Sequence, residues 1–110
     1  MKINRILILL VALLPFVASA EIISTKINVL GKVNQPGQFI VHDYVTVIDA
    51  IALAGGMSRM GDVRAIKVRK EGKDGRVSIE VYNLKMLLSG EQKNARLDSG
   101  DTVYVEEKLI

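Results

Sequence analysis

Apolar and polar residues alternate along several stretches of this chain, and a period of two is typical of β-strands. The stretches cover residues 26–33, 38–42, 64–82 and 102–105. Between the second and third stretch, the apolar residues follow the spacing of an α-helix instead. They are Val47, Ile48, Ile51 and Ala54. The pattern predicts two strands, one helix with an apolar face, a two-stranded hairpin and a last strand.

Proline, glycine and hydroxyl residues mark the ends of these elements. Pro36-Gly37 predicts a type II turn after the first strand, with the glycine at the position that requires a positive φ. Thr46 is placed to cap the helix, and Asp49 can return a hydrogen bond to it. Gly55-Gly56 then predicts the end of the helix, because glycine adopts the left-handed conformation that closes many helices.

Residues 64–82 contain Asp74-Gly75, a dipeptide that is typical of tight two-residue hairpin turns. With this pair at the turn centre, Arg69 lies opposite Glu80 and Lys67 lies opposite Tyr82. An apolar set then shares one face of the hairpin: Ile66, Val68, Ile79 and Val81. A mainly polar set shares the other: Lys67, Arg69, Glu80 and Tyr82. Separation of the two sets supports this register.

The last third of the chain predicts a short helix and a final strand. Asn83 can cap a helical turn over residues 84–89, which Gly90 would close. A turn that contains Gly100 and Asp101 leads into residues 102–105. A single apolar helix must cover one face of the sheet, so the fold class is α+β with a mixed sheet. The β-grasp arrangement satisfies this order, with the last strand in the middle of the sheet.

The N-terminus has the pattern of a secretory signal peptide. Lys2 and Arg5 precede an apolar run over residues 6–17, and Ala18-Ser19-Ala20 supplies the small residues of a cleavage site. We expect cleavage after Ala20, with residues 1–20 as the signal peptide and residues 21–110 as one domain. An uncleaved membrane anchor is the alternative. The predicted location is the periplasm.

Charge and cysteine content narrow the classes of partner and fold. Removal of residues 1–20 takes away two basic residues, so the net charge falls from +3 to +1. A nearly neutral domain is not expected to bind nucleic acid. The chain contains no cysteine, so packing alone must stabilise the domain, and a lipid anchor on cysteine is not expected. No membrane span is predicted after cleavage of the signal.

Five motifs, in this order and spacing, resemble the SLBB domain (soluble ligand-binding β-grasp). They are Gly31-x-Val33-x-x-Pro36-Gly37, residues 46–56, Val68-Arg69, Asn83-Leu84 with Gly90, and residues 97–105. The resemblance implies a β-grasp fold and a role in the export or assembly of bacterial surface polysaccharide. Because this chain has one module and no lipid anchor, we expect a free-standing periplasmic relative of the larger envelope proteins. The motif residues are interpreted as structural: Gly31, Pro36, Gly37, Thr46, Asp49, Gly55, Gly56, Gly90, Gly100 and Asp101.

No residue pattern of the chain predicts catalysis, a cofactor or a metal site. His42 is the only histidine, and one imidazole does not make a metal site. Residues 56–61 have glycines at the spacing of a phosphate-binding loop but lack the Lys-Ser/Thr that follows in such loops. Ser58 has neither the surrounding motif of a hydrolase nucleophile nor a base near it in sequence. We therefore expect a protein that is not an enzyme.

The face of the sheet opposite the helix is the candidate contact surface. If the last strand lies beside the first strand of the hairpin, Tyr104 joins the polar set predicted above. The candidate ligand- or partner-binding residues are thus Lys67, Arg69, Glu80, Tyr82 and Tyr104. Arginine and tyrosine are enriched in protein interfaces. A solvated face with an Arg69–Glu80 pair is the alternative interpretation.

Two functions remain open. The first is a periplasmic binding or assembly module in surface polysaccharide export or biofilm matrix production, whose partners are components of the export machinery or further copies of itself. The second is a soluble protein that binds a small molecule or a glycan fragment. The chain contains no tryptophan, so its aromatic residues favour protein contacts over a strong sugar site.

Overall fold

The computed structural model describes residues 22–109. In chain order, the elements of this part are β1 (Thr25–Gly31), β2 (Gly37–Val41), β3 (Val45–Thr46), α1 (Val47–Leu53), β4 (Gly61–Glu71), β5 (Val77–Tyr82), α2 (Leu84–Ser89), β6 (Arg96–Leu97) and β7 (Thr102–Glu107). The signal peptide predicted for residues 1–20 lies outside the described residues.

Five strands form one mixed sheet in the order β2-β1-β7-β4-β5. β1 and β7 are parallel, whereas the other neighbouring pairs of this sheet are antiparallel. β3 and β6 pair separately in a short two-stranded ladder. The last strand of the described chain therefore occupies the middle of the sheet. The predicted α+β class and β-grasp order are confirmed.

α1 covers one side of this sheet through an apolar face. Val47, Ala50 and Ile51 of the helix are buried, and so is Ala54 directly after it. The sheet contributes further buried side chains to the same cluster: Ile27, Val29, Ile66, Val68, Val103 and Val105. Withdrawing each valine or isoleucine side chain from water contributes about 1.5–3 kcal/mol to folding. We call this helix-covered side the inner face of the sheet and the opposite side the outer face.

The predicted helix caps are confirmed. The Thr46 Oγ1 accepts a hydrogen bond from the Asp49 N–H at 3.2 Å, and the Asp49 carboxylate accepts one from the Thr46 N–H at 3.0 Å. Gly55 and Gly56 follow the helix with φ of +75° and +86°. Asn83 caps α2 through its side-chain oxygen in a similar way. Local hydrogen bonds thus fix both ends of α1 between β3 and the sheet.

The connection between β1 and β2 differs from the predicted type II turn. Gly37 does not have a positive φ and instead begins β2 opposite Val29. Gly31 is the residue with a positive φ, at +85°. A β-carbon at Gly31 would lie 2.2 Å from the carbonyl oxygen of Val105. Only glycine fits here, because the chain leaves β1 in direct contact with the backbone of β7.

Replacing this glycine should destabilise the domain strongly. For Gly31→Ala we expect a loss of at least about 2 kcal/mol, because the left-handed backbone is strained for alanine and the methyl group meets the β7 backbone. Gly37→Ala is the matched control, since nothing lies within 4 Å of its added β-carbon. It should change the free energy of unfolding by less than about 0.5 kcal/mol. Urea unfolding measures both, and equal losses would contradict the close contact between Gly31 and β7.

Candidate functional site

The β4–β5 hairpin has a register that differs by one residue from the predicted one. Ile66 lies opposite Tyr82, Lys67 opposite Val81 and Arg69 opposite Ile79. The predicted pairing of Arg69 with Glu80 is therefore wrong. Because side chains of a strand alternate between the two faces, a slip of one residue moves every β5 side chain to the other face.

The cause of the slip is the turn at the tip of the hairpin. The N–H of Gly75 donates to the carbonyl oxygen of Gly72 at 2.9 Å, and the N–H of Gly72 donates to that of Arg76 at 2.8 Å. Gly75 has a φ of +82°. These features define a type I turn centred on Lys73 and Asp74, followed by a glycine bulge. The loop thus has three residues, whereas the sequence-based prediction had a two-residue turn.

The structure places only part of the predicted contact set on the outer face. Lys67, Arg69 and Tyr104 lie there, with Lys67 opposite Tyr104. Glu80 and Tyr82 lie on the inner face instead, and Tyr82 is only 6% exposed. The predicted single patch of five residues is therefore wrong in its geometry. Whether Lys67, Arg69 and Tyr104 bind a partner stays a prediction.

The same slip places apolar side chains on the outer face that were predicted to be core. Ile79 and Val81 are about half exposed there, together with Val77 of the same strand. Tyr104 lies opposite Leu30 of β1 on this face, and both are also partly exposed. The exposed apolar residues of the outer face are Leu30, Ile40, Val77, Ile79, Val81 and Tyr104.

Lys67 and Arg69 lie among these apolar residues, and each is paired with a carboxylate. Lys67 Nζ lies 2.5 Å from a carboxylate oxygen of Glu106, and the Arg69 guanidinium lies 3.6 Å from that of Glu71. All four side chains are well exposed, so each pair contributes less than about 1 kcal/mol to stability. Their main effect is to neutralise the face. The outer face therefore offers a partner a mixed surface, with apolar side chains on β5, β7 and β1 and polar side chains between them.

Tyr82 is a buried residue that the sequence did not place correctly. Its hydroxyl donates a hydrogen bond to the Glu80 carboxylate. Burial, together with the hydrogen bond and negative charge of Glu80, raises the pKa of Tyr82 to about 12. The pair lies on the inner side of β5, so we interpret it as part of the scaffold.

Lys70 and Asp101 join the hairpin to the turn before β7. The buried Asp101 carboxylate accepts a hydrogen bond from the Asp98 N–H at 2.8 Å, as expected for a turn residue. It also accepts one from Lys70 Nζ at 2.5 Å. Burial alone would lower the pKa of Lys70, but the hydrogen bonds and charges of Asp101 and Asp98 outweigh it and raise that pKa. The sequence did not indicate this contact, because 31 residues separate its partners.

A cleft of about 450 Å³ lies on the other side of the domain, beside α1. Its lining is Val41, Asp43, Tyr44, Val45, Asp49, Ala52 and Leu53. Tyr44 is about half exposed, and the Arg96 guanidinium lies 4.4 Å from the centre of its ring. The Thr25 hydroxyl donates to the carbonyl oxygen of Asp43 at 2.9 Å and fixes this segment to β1. No motif spacing along the chain indicates the cleft.

Residues 22–109 bring no three His, Cys, Asp or Glu side chains close enough together to hold a metal ion. Neither helix of this part is long and apolar enough to cross a membrane.

A mixed sheet around one helix, with the last described strand in its middle, defines a β-grasp domain. A family model described as SLBB domain matches residues 25–105. The chain belongs to the SLBB domain family, as its motifs predicted. SLBB domains are binding modules rather than a catalytic family. They are typically periplasmic and commonly occur in polysaccharide export.

The buried tyrosine predicts how stability depends on pH. Tyr82 keeps its proton to about pH 12 in the folded state, whereas an unfolded tyrosine titrates near pH 10. Unfolding therefore releases a proton between these values, and the free energy of unfolding falls as pH rises through them. Tyr82→Phe should make this fall shallower.

Tyr104→Phe is the control, because Tyr104 is exposed. It should keep the wild-type slope. Urea midpoints measured from pH 8 to pH 11.5 test the difference. Parallel curves for wild type and Tyr82→Phe would show that the Tyr82 hydroxyl is not withdrawn from water.

Proposed function

We propose that this protein is a periplasmic, non-enzymatic binding and assembly module of bacterial surface polysaccharide export or biofilm matrix production. It acts through protein contacts made by the outer face of its sheet. The observation that carries the proposal is the exposure of apolar side chains on this face, where Lys67 and Arg69 are already paired with carboxylates. Membership of the SLBB family supplies the export context.

The chemistry of the outer face favours a protein partner. Exposed apolar patches often mark interaction sites. Here Leu30 lies beside Tyr104, and three further apolar side chains follow one another along β5. Tyr104 lies in the central strand of the sheet, and tyrosine often dominates the binding energy of protein interfaces. The nearby Lys67 is held by Glu106, so this cation is less available to an anionic polymer. A partner with its own apolar patch fits this surface best.

The location rests on the N-terminal sequence and on the family. Residues 1–20 have the pattern of a cleavable export signal, and removing them leaves a net charge of +1. Such a domain carries little long-range electrostatic attraction for nucleic acids or anionic membranes. An exported domain with a nearly neutral surface is what we expect of a protein that associates with other envelope proteins.

A second candidate function is binding of a glycan fragment in the cleft beside α1. The specific observation in its favour is the exposed ring of Tyr44 next to the Asp43 carboxylate and the apolar Leu53. Aromatic rings and carboxylates suit the apolar faces and hydroxyl groups of sugars. The volume of the cleft also lies within the range of about 300–1,000 Å³ for small-molecule sites.

Capture of partners from envelope extract tests the first function. Tagged protein should retain an identified polysaccharide export component, and Tyr104→Ala should reduce that recovery about tenfold, because it removes an interface anchor worth more than about 1.4 kcal/mol. Tyr44→Ala is the matched control, since it removes an equally exposed tyrosine from the other side of the domain. It should leave recovery unchanged.

Recovery of no export component, or equal recovery with Tyr104→Ala, would contradict the proposal.

Calorimetric titration with fragments of the surface polysaccharide tests the second function. Binding that is lost in Tyr44→Ala and kept in Tyr104→Ala would support the cleft. Absence of heat across the set of fragments would remove it.

A further inference from the structure

We propose that two copies of this protein pair through their β5 strands, antiparallel and about a two-fold axis at Ile79, so that their sheets join into one. The pairing does not require the export role proposed above, because it depends only on the exposed edge of the sheet. Its partner is a second copy of this chain.

β5 is an edge strand of the described sheet, because only β4 pairs with it. An edge strand has one row of backbone N–H and C=O groups without a partner strand. The hydrogen bond from Gly72 N–H to the Arg76 carbonyl shows that Arg76 points toward β4. Alternation along the strand then directs the backbone groups of Val77, Ile79 and Val81 toward the free edge.

The side chains of the same three residues lie on the outer face and are about half exposed: Val77, Ile79 and Val81. Edge strands of monomeric proteins are commonly protected by lysine, proline or a bulge. Residues 77–82 contain no lysine or proline and pair with β4 without a shift in register. Their one charged side chain, Glu80, points inward and accepts a hydrogen bond from Tyr82 of the same strand. β-Branched residues also favour strand pairing. The edge thus combines unpaired backbone groups with side chains that pack well across a strand pair.

Gln92 closes one end of this edge. Its side-chain N–H donates to the carbonyl oxygen of Val81 at 3.1 Å, and its side-chain oxygen accepts from the Asn83 N–H at 2.9 Å. No side-chain hydrogen bond of the described residues covers the backbone groups of Ile79 in this way. Val77 of one copy would face the Val81 that Gln92 covers in the other copy. A carbonyl oxygen has two lone pairs, so Val81 can accept a second hydrogen bond.

The sequence of β5 is complementary to itself in this arrangement. With Ile79 on the axis, Ile79 faces its own copy and Val77 faces Val81 of the second copy, so apolar pairs line one side. On the other side Ser78 faces Glu80, and no like charges lie directly opposite. Pairs of β-branched residues contribute to strand association, whereas directly opposed like charges weaken it. A strand of unrelated sequence would lack this match.

The interface is small. Pairing along a single edge buries less than about 1,200 Å² in total, which is the range of weak and transient complexes. The dimer should therefore form at high protein concentration and dissociate on dilution. In the periplasm, local enrichment at an assembly site would favour it.

Sedimentation of the purified protein, expressed from its full coding sequence, tests the pairing. The apparent mass of the wild type should rise from one chain toward two as concentration increases. Ile79→Lys should remain a monomer at all concentrations, because it places two like charges at the axis. Ile40→Lys is the matched control, since Ile40 is an exposed isoleucine on the outer face of the opposite edge strand. It should dimerise like the wild type.

Cysteine crosslinking tests the register. The chain has no cysteine of its own, so a single Ile79→Cys should give covalent dimer with a short bismaleimide. Val77→Cys should crosslink much less, because two copies of position 77 lie about 14 Å apart along the strands. Ile40→Cys should crosslink no more than Val77→Cys.

Three results would overturn the proposal: a wild type that stays monomeric at every concentration, a dimer that Ile40→Lys abolishes as completely as Ile79→Lys, or crosslinking at position 79 no greater than at position 40. These experiments use the purified protein alone, so their failure is distinguishable from failure of the capture experiment.

Discussion

The backbone conformation of Gly75 decides which side chains of β5 lie on each face of the sheet. Its positive φ closes a three-residue loop with a bulge, and the loop sets the register of the hairpin. Because strand side chains alternate, this one residue determines that Tyr82 is buried and that Ile79 and Val81 are exposed. The candidate contact face and the free edge of β5 both depend on it.

The scaffold that presents this hairpin is organised around β7. Val103 and Val105 are fully buried between the flanking strands and α1. At the end of β1, Gly31 lies so close to the backbone of β7 that no β-carbon fits. Lys70 and Asp101 join β4 to the turn that begins β7.

Much of the fold could be predicted from the sequence, because its signals are local. The Thr46–Asp49 capping box and the glycines after the helix act within a few residues, and the apolar period of two marks each strand. The register of the hairpin could not be predicted. Asp74-Gly75 fits the centre of a two-residue turn, and it equally fits the last two residues of a three-residue loop with a bulge.

The candidate sites were harder to predict from the sequence than the fold, because residues that are distant in sequence form them. The predicted patch joined Glu80 and Tyr82 to Tyr104, and the slip of one residue separates them by the thickness of the sheet. The cleft at Tyr44 brings together the end of β2 and one side of α1, and no motif spacing marks it. The cover of Gln92 over Val81 depends on the path of a loop.

Cross-strand nuclear Overhauser effects between α-protons test the register of the β4–β5 hairpin most directly. Facing residues in a non-hydrogen-bonded pair have α-carbons only about 4.5 Å apart, so their α-protons give strong signals. The structure predicts such signals between Lys67 and Val81 and between Arg69 and Ile79. The alternative two-residue turn would instead place Val68 opposite Val81 and Lys70 opposite Ile79 in non-hydrogen-bonded pairs. Strong signals between those residues would contradict the structure and would return Tyr82 to the outer face.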